Sequence, residues 1–228
     1  MSTEMPPSGR DPALASKLQI LATEHWSLLA TRALTYQESL GRVSMFLTIL
    51  SGAVIALALV AQAAHFGPAF IAIAIFVLTI VCITGVFTVA RLQALNRDDF
   101  RWVLAMNRLR NAYLELHPEL GRHFTTSPND DMAGALQTLG IDPKGADRLG
   151  SMFHGLQTLP GMLSMIVASV AGAVGGLVAA GFNAEPTVVV LSGIGMFVLA
   201  ALAMVLWLGR SVRQLTPGLE ARFPTPPK

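Results

Sequence analysis

Long apolar runs alternate with polar segments along the chain. Four windows contain no Lys, Arg, Asp or Glu, at 43–66, 69–90, 159–182 and 187–209. Each has about 20 residues or more, and a helix of that length, rising about 1.5 Å per residue, crosses a hydrocarbon core of roughly 30 Å. Buried helices of soluble proteins seldom sustain apolar runs of this length. The pattern therefore predicts an all-α, polytopic membrane protein with four transmembrane helices.

The polar flanks of the first two windows are also expected to be helical. No proline lies between Pro12 and Pro68, or between Pro68 and Pro118, and proline strongly disfavours a helix interior. We therefore predict one long antiparallel hairpin that contains both windows. Its flanks, 13–42 and 91–118, are expected to form a stalk in the cytosol, as helical extensions of the first two transmembrane helices.

Apolar residues recur along both flanks with the three- and four-residue spacing of a helix that buries a narrow seam. Asp99 is the one interruption on the second flank. The repeat predicts a coiled-coil-like stalk whose seam residues are Trp26, Leu29, Ala33, Tyr36 and Leu40 on the first flank and Trp102, Met106, Leu109, Tyr113 and Leu116 on the second. A second apolar stripe lies beside the seam of the first flank and consists of Leu14, Leu18, Leu21, His25 and Leu28.

Turn-forming sequences divide the rest of the chain. The pair Asp130-Asp131 is suited to cap a helix over 132–139, because an Asp side chain accepts hydrogen bonds from the first free N–H groups of a helix. Gly140 is expected to end that helix, and a further short helix is expected over 146–156. The predicted organisation is a disordered N-terminus (1–12), the long hairpin (13–118), a cytosolic loop with short helices (119–158), a second transmembrane hairpin (159–209) and a cytosolic tail (210–228).

Positively charged residues determine the predicted orientation. Of the 16 Lys and Arg residues, four precede the first window, eight lie between the second and third, and four follow the last. The connections 65–68 and 183–186 contain none. Because Lys and Arg concentrate on the cytosolic side, both termini and the middle segment are expected in the cytosol, with the protein in a bacterial inner membrane. These cations lie beside the windows, where they meet anionic lipid headgroups, so nucleic acid is not an expected partner.

The third window contains a ladder of small residues. Ala168, Gly172, Gly176 and Ala180 recur every four residues. Small residues on one face let two membrane helices approach closely. The ladder predicts helix packing, either against another span of the same chain or against a second subunit.

No catalytic or ligand-binding pattern emerges from the polar residues. The five histidines lack the i, i+4 spacing of a helical zinc site, so no metal site, cofactor or enzymatic activity is expected. Hydroxyl side chains do recur at helical spacing in the first window, at Ser44, Thr48 and Ser51. Each is expected either to bond to the backbone of the preceding turn or to line a weakly polar pore formed by several copies.

The segment Glu24-His25-Trp26-Ser27-Leu28-Leu29-Ala30-Thr31-Arg32, followed by Tyr36-Gln37-Glu38-Ser39, resembles a group of uncharacterised bacterial integral membrane proteins. The likeness extends to Asn107-Arg108-Leu109-Arg110 and covers about half of the chain. That group has no established activity, so the resemblance implies a four-span membrane protein and supplies no catalytic residues. A span pair with cytosolic helical extensions is also similar to SLATT-type domains, which are membrane effectors of bacterial conflict systems and usually have two spans.

Together these patterns favour a homo-oligomeric membrane effector or pore-like protein with a cytosolic helical stalk. The alternative is a non-conducting scaffold or accessory subunit that docks a cytosolic protein through the stalk seam. The expected partners are membrane lipids, further copies of the chain and a cytosolic protein.

Overall fold

The computed structural model describes residues 12–141, 158–213 and 220–226. Within these ranges the chain forms α-helices and a 3-10 helix, without a strand. The elements are α1 (Pro12–Ala64), α2 (Pro68–Leu116), the 3-10 helix (Pro118–His123), α3 (Met132–Thr138), α4 (Leu159–Gly181) and α5 (Pro186–Arg213). The all-helical class is confirmed, and α1, α2, α4 and α5 are long and apolar enough to cross a membrane. The expected helix over 146–156 lies outside the described residues, as do 1–11 and 214–219.

Prolines and left-handed turns set the helix ends. α2 and α5 begin at Pro68 and Pro186. Proline lacks an N–H, but the first residue of a helix makes no helical hydrogen bond through that group, so proline is well suited to this position. The turn before α2 places His65 at φ 47° and Phe66 at φ 56°, and the turn before α5 places Asn183 at φ 55°. These left-handed residues reverse the chain within a few positions. α2 ends at Leu116, as expected for a helix that meets a proline two residues later.

The chain divides into two compact units. One comprises Met1–Leu34, Asp99–Pro143 and Leu219–Lys228, and we call it the arm unit. The other, the span unit, comprises Thr35–Asp98 and Lys144–Gly218. α1 and α2 contribute residues to both units.

The core of the span unit lies where α1, α2 and α4 meet. Phe46 of α1, Val89 of α2 and Val167 of α4 are buried there in one apolar cluster. Gly85 of α2 permits this approach. A Cβ atom at that position would lie 2.5 Å from Val167 Cγ2 and 2.9 Å from Phe46 Cε2, so a larger residue would force the side chains of Val167 and Phe46 to move.

The small-residue ladder of α4 faces α5 of the same chain. A Cβ atom at Gly172 would lie 2.9 Å from Phe197 Cβ and 3.0 Å from the carbonyl oxygen of Gly193. One turn later, Gly176 would place a Cβ 3.4 Å from the carbonyl oxygen of Val189. Ala168, the first member of the ladder, is fully buried, and Ala180, the last, is partly buried. The two glycines thus supply the close approach between α4 and α5.

Candidate functional site

In α1 the buried stripe differs from the expected seam. Leu28 is buried, and the rest of its stripe, Leu14, Leu18, Leu21 and His25, is partly buried. The His25 ring lies with its centre 6.1 Å from that of Tyr113 on α2. By contrast, all five residues expected at the seam of the first flank, Trp26, Leu29, Ala33, Tyr36 and Leu40, are exposed. The prediction must therefore be corrected, because the flanking stripe is the one that packs within the chain.

Asp99, which interrupts the seam of the second flank, binds the buried stripe of α1. Arg32 lies one helical turn beyond Leu28 on this stripe, and its Nε and Nη2 donate to Asp99 Oδ1 at 2.6 Å and Oδ2 at 3.2 Å. The ion pair and the apolar contacts thus involve the same face of α1. On α2 the expected seam does turn inward, since Met106 is buried and Trp102, Leu109, Tyr113 and Leu116 are partly buried.

The arm unit also contains a buried polar cluster centred on Asn107 of α2, a side chain with no exposed surface. Its Nδ2 donates to the carbonyl oxygen of Asn129 at 2.8 Å. Its Oδ1 accepts from Arg110 Nη1 at 2.6 Å and from Thr138 Oγ1 at 3.0 Å. Asn107 thereby joins α2, the loop before α3 and α3 itself, and its donor and acceptor are both used.

The loop before α3 is held in one conformation. Asn129 N–H donates to Ser127 Oγ at 3.1 Å, and Ser127 N–H donates to Thr138 Oγ1 at 3.2 Å. Asp131 caps α3 by accepting from Gly134 N–H at 2.8 Å, which confirms the predicted cap. A Cβ atom at Gly134 would overlap the carbonyl group of Asn129. Glycine is therefore required where the loop crosses the first turn of α3.

Asp130 and Asp131 bind the C-terminal segment 220–226 within the arm unit. Phe223 N–H donates to Asp130 Oδ1 at 2.8 Å, Arg222 N–H donates to Asp130 Oδ2 at 3.1 Å, and Asp130 N–H donates back to Phe223 O at 3.1 Å. Thr225 donates through its N–H to Asp131 Oδ2 at 2.9 Å and through its hydroxyl to Asp131 Oδ1 at 2.8 Å. The two carboxylates thus hold Arg222, Phe223 and Thr225, and the chain bends at the first two of these residues.

Arg108 supports this contact from α2. Its Nε donates to Asp130 Oδ2, and its Nη2 donates to the carbonyl oxygen of Glu220 at 3.0 Å. The Asp130 side chain is fully buried, whereas that of Arg108 is 29% exposed. Burial is the largest single influence and raises the pKa of Asp130, but hydrogen bonds from Phe223, Arg108 and Arg222 together outweigh it and hold the pKa below its ordinary value. Asp130 is therefore an ionised, buried carboxylate that is fully used as an acceptor.

Asp131 has the same electrostatic balance. Burial raises its pKa, and the hydrogen bonds from Gly134 N–H, Thr225 N–H and the Thr225 hydroxyl outweigh burial, so that the pKa lies below the ordinary value. Every donor in this set bonds to the charged form of the carboxylate. Loss of the negative charge on Asp131 would weaken the two hydrogen bonds from Thr225.

In the span unit, the three candidate pore-lining residues are exposed. Thr48 Oγ1 donates to Ser44 O at 2.9 Å, so this hydroxyl bonds to the preceding turn. Ser44 and Ser51 share the exposed face, and a Cβ atom at Gly41 or Gly52 would meet nothing within 4 Å. The face therefore consists of small residues that nothing in the described part of the span unit covers.

Two cations at the predicted membrane boundary are bound to one carboxylate. Arg91 donates through Nε to Glu38 Oε1 at 3.0 Å and through Nη2 to Oε2 at 3.2 Å, and Arg42 Nε donates to Oε1 at 2.8 Å. The hydrogen bond from Arg91, followed by that from Arg42, lowers the pKa of Glu38. Because Glu38 and Arg91 belong to different helices, this pair fastens α1 to α2.

Sequence reasoning did not find the contact between the tail and the Asp130-Asp131 pair. The contact uses mainly backbone N–H groups of the C-terminal segment. Every residue except proline has such a group, so no pattern of side chains in the sequence predicts the contact. One signal was present in Asn107, a polar residue inside the apolar repeat of α2. A buried amide needs partners, and its partners here are the loop and α3.

No protein-family model, curated protein or solved structure matches the chain. The resemblance of the segment from Glu24 to Arg32 to uncharacterised bacterial membrane proteins stays a prediction. A function for the chain has to be argued from the geometry of its two units.

Proposed function

We propose that the protein is a homo-oligomeric membrane effector or pore-like protein of the bacterial inner membrane. The observation that carries the proposal is the exposed stripe on α1, formed by Trp26, Leu29, Ala33, Tyr36 and Leu40. In this proposal the α1 helices of neighbouring copies pack against one another through that stripe. Neither a cofactor nor an enzymatic reaction is part of the proposal.

The stripe is unusually apolar for a surface exposed to water. Trp26 is 71% exposed and Tyr36 is 62% exposed. With ~150–250 Å² per aromatic side chain, these two residues alone expose on the order of 300 Å². Contiguous apolar patches of a few hundred Å² on a soluble surface commonly mark contact sites. The leucines, Leu29 and Leu40, enlarge the patch at helical spacing.

In this proposal the partner of the stripe is a second copy of α1. The spacing of three and four residues is that of a helix–helix seam, and the five residues of the stripe include no charge that two copies would oppose. An identical helix matches both requirements.

The exposed hydroxyls also support the pore-like part of the proposal. Side chains that line a weakly polar pore must be uncovered within one chain, and Ser44, Thr48 and Ser51 are. Conductance of the full chain in liposomes tests this role. In a Cys82→Ser background, modification of Ser51→Cys by a charged thiol reagent should reduce the conductance, whereas Ile49→Cys, exposed on another side of α1, should not respond. Liposomes without conductance would refute a pore.

The arm unit supports an orientation with both termini on the cytosolic side. It contains residues from before the first apolar helix, from between the second and third, and from after the fourth. Contacts such as Arg32–Asp99 and Arg108–Glu220 support a proposed arrangement with these three segments on one side of a membrane. These three segments also contain most of the Lys and Arg residues of the chain, and such residues concentrate on the cytosolic side of a membrane. Labelling of Gln137→Cys from outside intact cells would refute this orientation.

Crosslinking in native membranes tests the subunit contact. In the Cys82→Ser background we expect Ala33→Cys to form a disulfide-linked dimer on mild oxidation, because parallel helices that pack through this stripe bring the same residue of two copies together. Ile20→Cys is the matched control, since Ile20 is 66% exposed but points away from the stripe. Equal crosslinking at both positions, or at neither, would contradict the proposed interface.

The alternative, a scaffold that docks a cytosolic protein, is favoured by the same stripe and has to be tested there. Charge substitutions at Met106 and Leu109 are unsuitable, because Met106 is only 5% exposed and a charge there would disturb the core of the arm unit. A heterologous partner bound through Trp26 and Tyr36, with no crosslink between copies at Ala33→Cys, would favour the scaffold.

A further inference from the structure

The C-terminal segment 220–226 is bound to the arm unit almost without apolar burial. None of its seven described residues is buried, and only Phe223 and Thr225 are partly covered. Its attachment therefore rests on the hydrogen bonds to Asp130, Asp131 and Arg108. Such contacts are those of a peptide ligand on a prepared surface, because a free peptide of the same sequence can make every one of them.

The surface that binds the segment is prepared by other residues. Asp130 is fully buried and is oriented by Arg108, and Asp131 is fixed as the cap of α3. Asn107 and Gly134 hold the intervening loop against α2 and α3. The carboxylate oxygens thus keep their positions through contacts with the arm unit, and the segment meets a preorganised set of acceptors.

The pattern of donors gives the site a sequence preference. Two consecutive N–H groups, those of Arg222 and Phe223, go to Asp130. Pro224 follows, which has no N–H to leave unsatisfied. Thr225 then offers an N–H and a hydroxyl to the two oxygens of Asp131. A hydroxyl residue after a proline matches this set, and an aliphatic residue would leave Asp131 Oδ1 with one donor fewer.

We propose that Asp130, Asp131 and Arg108 form a peptide-recognition site for a segment with a Pro-Thr or Pro-Ser step, and that the chain's own residues 220–226 are its exchangeable ligand. The segment fastens the C-terminus to the loop that precedes α3. A peptide of the same chemistry displaces it.

The site can be tested on the full chain in lipid nanodiscs by electron–electron distance measurement. Spin labels are placed at Gln137→Cys on α3 and Ala221→Cys on the segment, both exposed positions, in the Cys82→Ser background. We expect one narrow component from the two labels of a single chain. Dilution with unlabelled chain should remove distances between copies and keep this narrow component, whereas loss of the narrow component on dilution would assign the bound segment to a neighbouring copy and overturn the intrachain assignment.

Matched substitutions separate recognition from folding. Thr225→Val keeps the shape of the side chain and removes the hydroxyl, so the distribution should broaden, while Thr225→Ser should keep it narrow. Asp131→Asn should also broaden it, because Asn caps a helix about as well as Asp but has one acceptor oxygen in place of two. Hydrogen exchange of α3 amides serves as the folding control, and Thr225→Val changes no residue of α3 or of the loop before it.

Exchange is tested with synthetic peptides. A peptide with the sequence of residues 219–226, added at millimolar concentration, should convert the narrow distribution into a broad one, and the same peptide with valine in place of Thr225 should require at least a tenfold higher concentration. The proposal is overturned if the narrow distribution survives Thr225→Val, or if both peptides displace the segment equally well or not at all.

Discussion

Removing either partner of the Arg108–Asp130 pair should destabilise the arm unit, and the two removals should differ. Asp130 has no exposed side-chain surface, whereas Arg108 is 29% exposed. Breaking a buried ion pair costs about 3–5 kcal/mol when the remaining charge stays buried. In Arg108→Met the remaining charge is the buried Asp130, so we expect the free energy of unfolding to fall by an amount in the lower half of this range. In Asp130→Asn it is a guanidinium that reaches water, so we expect about 2 kcal/mol.

Hydrogen exchange of the amides in 127–138 measures these losses. Each 1.4 kcal/mol corresponds to about a tenfold change in an equilibrium constant, so exchange through local opening should accelerate by roughly 30-fold in Asp130→Asn and by more than 100-fold in Arg108→Met. The double variant should lose less than the sum of the two, because neither charge is then left unpaired. Equal effects of the two single variants, or strict additivity, would refute the assignment of Asp130 as the buried partner.

Three further variants or conditions test the packing and the electrostatics. Gly85→Ala should destabilise the span unit by about 1–3 kcal/mol, because its Cβ enters a three-helix contact, and the unfolding temperature in detergent measures this loss. Gly134→Ala should increase hydrogen exchange in the loop that includes Asn129, since the added methyl group overlaps the carbonyl of that residue. Asp130 and Asp131 both have lowered pKa values. Their contribution to stability is therefore present above the pKa of an unfolded Asp and is lost as the pH falls through the lower pKa of the folded state. The distribution of spin-label distances should broaden on acidification, and a C-terminal segment that stays bound when both groups are protonated would contradict this.

Helix positions and ends were predictable from the sequence because they depend on local rules. Apolar length located α1, α2, α4 and α5, and Pro68 and Pro186 marked two of their starts. Asp131 was recognised as a cap because capping involves residues only three positions apart. The glycine ladder of α4 indicated close packing but was silent about its partner, since close approach requires only a small residue on one face.

The choice of the buried face on α1 could not be made from spacing. Two stripes with the same three- and four-residue rhythm lie side by side on this helix, one containing Trp26 and the other containing Leu28. The seam was predicted on the first. The ion pair between Arg32 and Asp99 favours the second, and this long-range contact becomes visible only when α1 and α2 are placed together.

The candidate site depended even more on long-range contacts. Phe223 and Asp130 are 93 positions apart, and the groups they exchange are backbone N–H and C=O groups together with one carboxylate. Backbone groups are the same in almost every residue, so composition and periodicity do not predict which of them pair with one another. The segment 210–228, which contains Pro224-Thr225-Pro226, was therefore predicted only as a cytosolic tail.

The number of copies per particle in lipid nanodiscs tests the central claim most directly. Mass measurement of the full chain should give an assembly of two or more copies, and Trp26→Glu combined with Tyr36→Glu should convert it into monomers, because burying two carboxylates in an apolar seam is strongly unfavourable. Ile20→Glu, which adds a charge at a similarly exposed position away from the stripe, should leave the assembly intact. A monomeric parent protein, or an assembly that survives both stripe substitutions, would contradict the account.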